Sequence, residues 1–261
     1  TVASRYVVGL DVGSTTIKAV AVDAATDAVV WSDYQRHETR QPEKALEFLK
    51  RLEAEAGIGP ETCRIFVTGS GGSSLAPHIG GKFVQEVTAV SLAVEKMHPQ
   101  VNSVIELGGQ DAKIIVFTED AATGRKKKIP SMNDKCAGGT GAVIDKITAK
   151  LKIPVEALGA QRYHGIHVHK VAGKCGVFAE TDINSLQKMG IGPSELMASL
   201  IDAIVTQNLG VLARGQTLFP PVLLVGGPAS RIRAVAEAWR HHLAAHWRER
   251  EVSVPDGAGA A

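Results

Sequence analysis

Residues that could bind a phosphate group and a hydrated divalent cation occur twice in the chain, at an offset of 95 residues. In each copy an apolar run is followed by an acidic residue, a turn of glycine and small or polar residues, and a lysine. The shared positions are Asp11, Gly13, Ser14, Thr15, Thr16 and Lys18 in the first copy and Glu106, Gly108, Gly109, Gln110, Asp111 and Lys113 in the second. Turn glycines let backbone N–H groups approach an anion, and an acidic residue at a strand end can hold a hydrated cation. Two copies in register therefore favour a nucleotide site over two ordinary tight turns.

The strands on either side of each turn must position these residues. Apolar runs flanking a glycine-rich turn predict a β-hairpin, here Tyr6–Leu10 with Ile17–Val22 and Val101–Leu107 with Ala112–Phe117. We expect the two hairpins to belong to two similar lobes that face one nucleotide.

Hydrophobic periodicity predicts further elements around the hairpins. Strands are predicted at Ala28–Arg36, Arg64–Thr68, Lys126–Ile129, Val168–Ala172 and Val222–Val225. Helices are predicted at Pro42–Ala56, Lys82–Met97, Ala142–Leu151, Val177–Met189, Ser194–Arg214 and Arg231–Trp247. In the first helix the apolar positions at helical spacing are Ala45, Leu46, Leu49, Leu52 and Ala56.

Two cysteines lie just before predicted helices. Cys136 precedes Gly139 and Thr140, and glycines with a hydroxyl at a helix start predict an anion site. Cys175 repeats the arrangement, beside a glycine and a lysine. A helix N-terminus favours the thiolate form of cysteine.

Other segments carry weaker signals. Glu86, near the start of its helix, can polarise water or bind a metal, although most helix glutamates are merely solvated. The glycine-rich run at 69–72 fits an ordinary loop or a wall of a nucleotide cleft. The double glycine of 226–227 follows a strand and offers a close-approach surface for a purine and ribose. Three histidines, at 164, 167 and 169, are better explained structurally than as metal ligands.

Composition excludes several classes of protein. With 261 residues, 44% of them hydrophobic, the chain can bury a substantial core, and its net charge of +2 does not favour nucleic-acid binding. We find neither a signal pattern nor an apolar run of membrane-spanning length, which predicts a cytoplasmic protein with no membrane partner. Three cysteines do not make a disulfide framework. We interpret the chain, which starts at Thr1, as a segment of a longer polypeptide.

Three segments resemble, in order, the two phosphate motifs and the adenosine motif of the superfamily of actin, sugar kinases and heat-shock chaperone ATPases. They are Asp11–Thr16, Glu106–Lys113 and Val225–Ala229. More narrowly, Gly108–Lys113, Asn133–Gly141 and Lys174–Glu180 are similar to motifs of the BadF/BadG/BcrA/BcrD ATPase family, which includes activators of 2-hydroxyacyl-CoA dehydratases and ATP-binding subunits of benzoyl-CoA reductases.

The resemblance implies a duplicated ribonuclease-H-like (actin-like ATPase) fold of α/β class, with two lobes around a nucleotide cleft. The ATPase domain is expected at 6–247, with lobe I at about 6–97, lobe II at about 98–247 and a tail, interpreted as a linker, at 248–261. The implied activity is ATP hydrolysis that drives low-potential electron transfer to a partner iron–sulfur reductase or dehydratase. The implied electron donor is a ferredoxin or flavodoxin.

In the family, two cysteines from each of two subunits hold one [4Fe-4S] cluster. Carried over, these are Cys136 and Cys175, so the resemblance implies a homodimer or a pseudo-dimer within a larger chain. The chemistry of the chain agrees, because such a cluster needs four ligands and only two cysteines here are suitably placed.

Role assignments follow from the hairpins together with the resemblance. Phosphate contacts are assigned to Gly13, Ser14, Thr15, Thr16, Gly108 and Gly109, with Gly139 and Thr140 as a further anion site. Asp11 and Glu106 would hold Mg²⁺ through water, Gln110 or Asp111 would align the attacking water, and Glu86 is a further catalytic candidate. Adenosine would lie against Gly226, Gly227 and Pro228. Lys18 and Lys113 are expected to support their hairpins rather than touch the phosphate.

Two alternatives stay open at this point. A sugar-kinase-like phosphotransferase would use the same ATP site, but it leaves the cysteine segments unexplained. A non-catalytic nucleotide-binding module would bind ATP without turning it over.

Overall fold

The computed structural model describes residues 4–120, 122–124, 126–133 and 138–252. Cys136 therefore lies outside the described residues. The chain divides into two compact units, Thr1–Leu92 and Ala93–Ala261. The division falls inside the helix Glu86–Met97, and the lobe boundary at about residues 97 and 98 stays a prediction.

Unit 1 is built on a five-stranded sheet with the order β3-β2-β1-β4-β5. Its strands are β1 (Tyr6–Val12), β2 (Thr16–Asp23), β3 (Val29–Arg36), β4 (Cys63–Thr68) and β5 (Lys82–Phe83). Its helices are α1 (Gln41–Ala56), α2 (Gly72–Leu75), a 3₁₀-helix (Ala76–Ile79) and the start of α3 (Glu86–Met97). Strands β1, β2 and β3 are antiparallel, while β4 runs parallel to β1.

One face of this sheet packs against α1. Alternate residues of β1 (Val8, Leu10 and Val12) are buried, as the side-chain period of two in a half-covered strand requires. From α1 the buried side chains are Ala45, Phe48 and Leu52. Leu46, one of the apolar residues at helical spacing, is 51% exposed, because the face that meets the sheet runs through Phe48 instead.

Unit 2 has a four-stranded sheet with the order β8-β7-β6-β9. Its strands are β6 (Ser103–Leu107), β7 (Ala112–Glu119), β8 (Lys126–Asn133) and β9 (Val222–Val225). Its helices are α4 (Gly141–Lys150), α5 (Val155–Ala160), α6 (Gly176–Lys188), α7 (Pro193–Leu212), α8 (Gly227–Arg231) and α9 (Arg233–Glu249). As in unit 1, a hairpin is extended by an antiparallel third strand and by a parallel strand from later in the chain.

Helix α7 forms the centre of the unit 2 core. Its buried residues include Leu196, Leu200, Ile201, Ile204 and Leu212. Within the described residues it is the one helix long and apolar enough to cross a membrane by length and composition. Its apolar surface is used instead for packing in this core.

Two segments differ from the sequence-based expectation. Val168–Ala172 is not a strand, since its backbone N–H groups bond to side chains: His169 N–H donates to Ser199 Oγ and Ala172 N–H donates to Asp182 Oδ2, each at 2.8 Å. The predicted helix Lys82–Met97 begins only at Glu86, because Lys82–Phe83 pairs with β4 as a short strand. Both hairpins are confirmed.

We expect Phe48→Ala to lower the free energy of unfolding by about 3–5 kcal/mol, the usual cost of emptying a buried aromatic site. Phe48 is 1% exposed and meets Trp31 edge-on at a centroid distance of 6.1 Å. Urea unfolding followed by circular dichroism measures the loss. Leu46→Ala on the same helix is the control and should cost less than about 0.5 kcal/mol. Equal losses in the two variants would contradict this assignment of the buried face.

Candidate nucleotide-binding hairpins and cysteine site

The turns of the two hairpins are closed by the same backbone hydrogen bond. The N–H of Gly13 donates to the carbonyl of Thr16 at 2.9 Å, and the N–H of Gly108 donates to the carbonyl of Asp111 at 2.9 Å. Ser14 and Gly109 follow the first glycine of each turn, as the offset of the two copies requires. The repeat seen in the sequence is therefore a repeat in structure.

Each hairpin also pairs an acidic residue with a lysine across its two strands. Asp11 lies opposite Lys18, whose Nζ is 2.8 Å from Asp11 Oδ2. Glu106 lies opposite Lys113, whose Nζ is 3.5 Å from Glu106 Oε2 and 2.6 Å from Asp111 Oδ2. Asp11 and Glu106 stay partly exposed, with 32% and 20% of their side chains accessible. Neither side chain is therefore sealed from solvent, although the Oε2 atom of Glu106 is itself buried.

Lys113 differs from Lys18 in its burial. Its side chain is only 1% exposed, whereas that of Lys18 is 43% exposed. A buried ammonium group requires nearby negative charge, because an uncompensated buried charge is strongly destabilising. Asp111 and Glu106 supply that charge, so Lys113 supports the second hairpin and orients its carboxylates.

A glycine with positive φ follows the parallel strand in each unit. Gly69 (φ +92°) follows β4, and a Cβ atom there would lie 2.4 Å from the carbonyl oxygen of Val12. Gly226 (φ +98°) follows β9, and a Cβ atom there would lie 2.1 Å from the carbonyl oxygen of Leu107. The two glycines are equivalent, since each lets a strand end approach the backbone just before the glycine turn of a hairpin. In the sequence, only the presence of glycine at both positions indicates that they are equivalent.

The first turn is supported by two side chains that sequence analysis did not identify. The carbonyl oxygen of Gly13 accepts hydrogen bonds from Gln41 Nε2 at 2.9 Å and from His37 Nε2 at 3.0 Å. The backbone N–H of Thr39 donates to His37 Nδ1 at 3.0 Å, so the ring proton of this neutral histidine lies on Nε2. His37 is 3% exposed. No sequence motif marks either residue.

The second turn is instead bonded to the start of α4. The N–H of Gly141 donates to the carbonyl of Gly108 at 3.0 Å, and the N–H of Ala142 donates to the carbonyl of Gly109 at 2.7 Å. The hydroxyl of Thr140, which is fully buried, donates to the same Gly109 carbonyl at 3.0 Å. These donors, expected from the sequence to face an anion, are directed at the turn. This geometry gives Thr140 a supporting role.

The remaining predicted residues occupy distinct places in the two units. Gly139 has φ +83°, and its carbonyl accepts a hydrogen bond from the buried Asn208 Nδ2 at 2.7 Å. Glu86 is the first residue of α3 in unit 1, and Gln110 is exposed in the second turn. Positions 226–228 lie where β9 gives way to α8, with Gly227 and Pro228 as the first residues of that helix.

Cys175 occupies the N-cap position of α6. Backbone N–H groups of Phe178 and Val177 lower the pKa of its thiol below the ordinary value, as donors at a helix N-terminus stabilise a thiolate. Burial raises the pKa of Cys63, the other described cysteine. Two large apolar side chains beside Cys175, Val177 at 63% and Phe178 at 64% exposure, face outward.

The histidines at 164, 167 and 169 do not gather at a metal centre. His169 Nε2 lies 2.8 Å from Glu195 Oε2, and its ring meets His167 edge-on. In the part of the chain that the structure describes, no group of three or more His, Cys, Asp or Glu residues is arranged to hold a metal ion.

The fold matches solved structures of dehydratase activators. Component A of (R)-2-hydroxyglutaryl-CoA dehydratase from Acidaminococcus fermentans superposes with a TM-score of 0.79 at 27% identity, covering 92% of this chain and 90% of that one. The activator of 2-hydroxyisocaproyl-CoA dehydratase from Clostridium difficile, with bound ADPNP, has a TM-score of 0.75 at 25% identity, covering 92% of this chain and 86% of that one. The actin-like ATPase fold expected from the sequence is confirmed.

The sequence comparisons agree. The 2-hydroxyisocaproyl-CoA dehydratase activator of Clostridioides difficile is 28% identical over 253 residues, which are 96% of this chain and 89% of that protein. The model of the BadF/BadG/BcrA/BcrD ATPase family matches residues 8–257. The chain belongs to this family, as its motifs predicted.

We expect Cys175 to react with iodoacetamide at least about ten times faster than Cys63 at pH 7, because a lowered pKa leaves more thiolate at neutral pH. The rate for Cys175 should also level off at a lower pH than the rate for Cys63. Mass spectrometry of the cysteine-containing peptides from reduced, metal-free protein measures both rates. Equal rates across the pH range would contradict the assigned helix effect.

Proposed function

We propose that the chain is an ATP-hydrolysing activator that drives low-potential electron transfer from a subunit-bridging [4Fe-4S] cluster to a partner reductase or 2-hydroxyacyl-CoA dehydratase. The observation that carries the ATPase part is the pair of hairpins, each with an acidic residue before a glycine turn and a lysine opposite it. The names of the relatives support the activator role.

The phosphate groups of ATP are assigned to the two turns. Backbone N–H groups at Ser14–Thr16 and Gly109, with the hydroxyls of the first turn, are suitable donors for phosphate oxygens. Asp11 and Glu106 suit a hydrated Mg²⁺, since both are acidic, partly exposed and held by a lysine. Phosphoryl transfer requires mainly such positioning and charge neutralisation.

The attacking water is assigned to the second turn. Lys113 fixes Asp111 by its 2.6 Å contact, and Gln110 next to it is exposed and can donate or accept a hydrogen bond. Glu86 remains a further candidate for polarising water. Gly226, Gly227 and Pro228 are proposed to face adenosine.

The cluster is assigned to Cys175 and Cys136, of which only Cys175 is described. Cys175 fits a cluster ligand because it is a partly exposed thiol with a lowered pKa at a helix N-terminus. Bound there, the cluster would supply one-electron chemistry, and its four iron ligands would require two cysteines from each of two chains.

A second copy of the chain is the proposed source of the other two ligands. Val177 and Phe178 support this, because large apolar side chains exposed next to a charged cofactor site are suited to burial against a partner. The external partners are the acceptor enzyme and a ferredoxin or flavodoxin donor. The cytoplasmic location stays a prediction.

We predict about four irons and four sulfides per dimer in the anaerobically purified chain. Cys136→Ala and Cys175→Ala should each remove the iron, whereas the control Cys63→Ala should retain it, because burial raises the pKa of that thiol and disfavours the thiolate form. Iron and sulfide analysis together with the mass of the assembly measures this. An iron-free monomer that still hydrolyses ATP would contradict the cluster proposal and leave the ATPase assignment standing.

A further inference from the structure

Helices α4 and α6 are joined by a three-charge contact centred on Glu180. Its Oε2 lies 2.6 Å from Lys146 Nζ and its Oε1 lies 3.0 Å from Lys150 Nζ. The two ammonium groups lower the pKa of Glu180 by hydrogen bonding, so the carboxylate is ionised at neutral pH. The lysines are one turn apart on α4, and each bonds a separate carboxylate oxygen.

The same helices also touch at their N-terminal ends. A Cβ atom at Gly176 would lie 3.1 Å from Val143 Cγ2, so the first residue of α6 packs closely against the first turn of α4. The contact at Glu180 follows one turn later on α6. The two helices therefore touch near their N-termini and again about one turn further along. Two such contacts restrict sliding and rotation of one helix against the other.

The N-terminus of α4 is bonded to the turn at Gly108–Gly109 through the N–H groups of Gly141 and Ala142. The N-terminus of α6 carries Cys175. An unbroken series of contacts therefore runs from the second turn to α4, across Glu180 to α6, and so to the cysteine. All of these contacts lie within unit 2.

We propose that Glu180 is a positioning residue that makes α4 and α6 respond together, so that a change at the Gly108–Gly109 turn is transmitted to the helix that starts at Cys175. This inference rests on the proposed nucleotide-binding function of that turn. Neutralising Glu180 should leave each helix folded but weaken the coupling between them.

Other contacts keep the surroundings of Cys175 in place without Glu180. Gly173 passes close to α7, where its Cβ would lie 2.5 Å from the carbonyl oxygen of Ala203. Asp182 on α6 accepts the N–H of Ala172 at 2.8 Å. Glu180 itself is 25% exposed, and exposed ion pairs add little to overall stability. Glu180→Gln is therefore expected to fold.

Hydrogen–deuterium exchange tests the proposal in the full chain, purified anaerobically, with and without ADPNP and Mg²⁺. In the wild type, ADPNP should alter exchange in both α4 and α6. In Glu180→Gln the response of α4 should persist, while that of α6 should fall by a factor of about 3 or more. Glu156→Gln, an exposed change on α5, is the matched control and should behave as the wild type.

The outcomes separate this inference from the function on which it rests. Absence of any ADPNP response in the wild type would overturn the proposed nucleotide binding. A full α6 response in Glu180→Gln would overturn the role of Glu180 and leave the function intact. Loss of the response in both helices of the variant would also overturn it, because Glu180 would then act on nucleotide binding or folding rather than on coupling.

Discussion

Three hydrogen bonds join the second turn to the start of α4 and fix these two parts of unit 2 against each other. Two of them use the N–H groups of Gly141 and Ala142, which a helix N-terminus otherwise leaves unpaired. Together the three bonds fix the carbonyls of Gly108 and Gly109. They also require a glycine at 141, where a Cβ would lie 3.0 Å from the Gly108 oxygen and 2.9 Å from Pro228 Cγ. The turn, the helix and the segment at 226–228 are consequently held as one packed group.

The two units bind the equivalent turn carbonyl with different donor groups. In unit 1 the turn carbonyl of Gly13 is held by the side chains of His37 and Gln41. In unit 2 the corresponding carbonyl of Gly108 accepts a hydrogen bond from the backbone N–H of Gly141, the first residue of α4. Both units therefore share the glycine turn and the acid–lysine pair, and in unit 2 the turn is also bonded to a helix that contacts α6. This asymmetry is the basis of the proposed coupling between the second turn and the helix that begins at Cys175.

Much of this arrangement could be predicted from sequence because it depends on local signals. The hairpins follow from apolar runs on both sides of glycine turns, and the offset of 95 residues identifies the pair. Contacts distant in sequence could not be predicted in this way. The apparent strand at 168–172 is bonded instead to Ser199 and Asp182, and burial of α1 through Phe48 rather than Leu46 depends on where that helix meets its sheet.

ATP turnover by hairpin variants tests the account most directly. Steady-state hydrolysis of ATP should fall by about 100-fold in Asp11→Asn and in Glu106→Gln, since each removes a charge assigned to Mg²⁺ while keeping the shape of the side chain. The exposed control Glu61→Gln should keep the wild-type rate. Wild-type turnover in either hairpin variant would contradict the claim that the two acidic hairpins form the catalytic machinery.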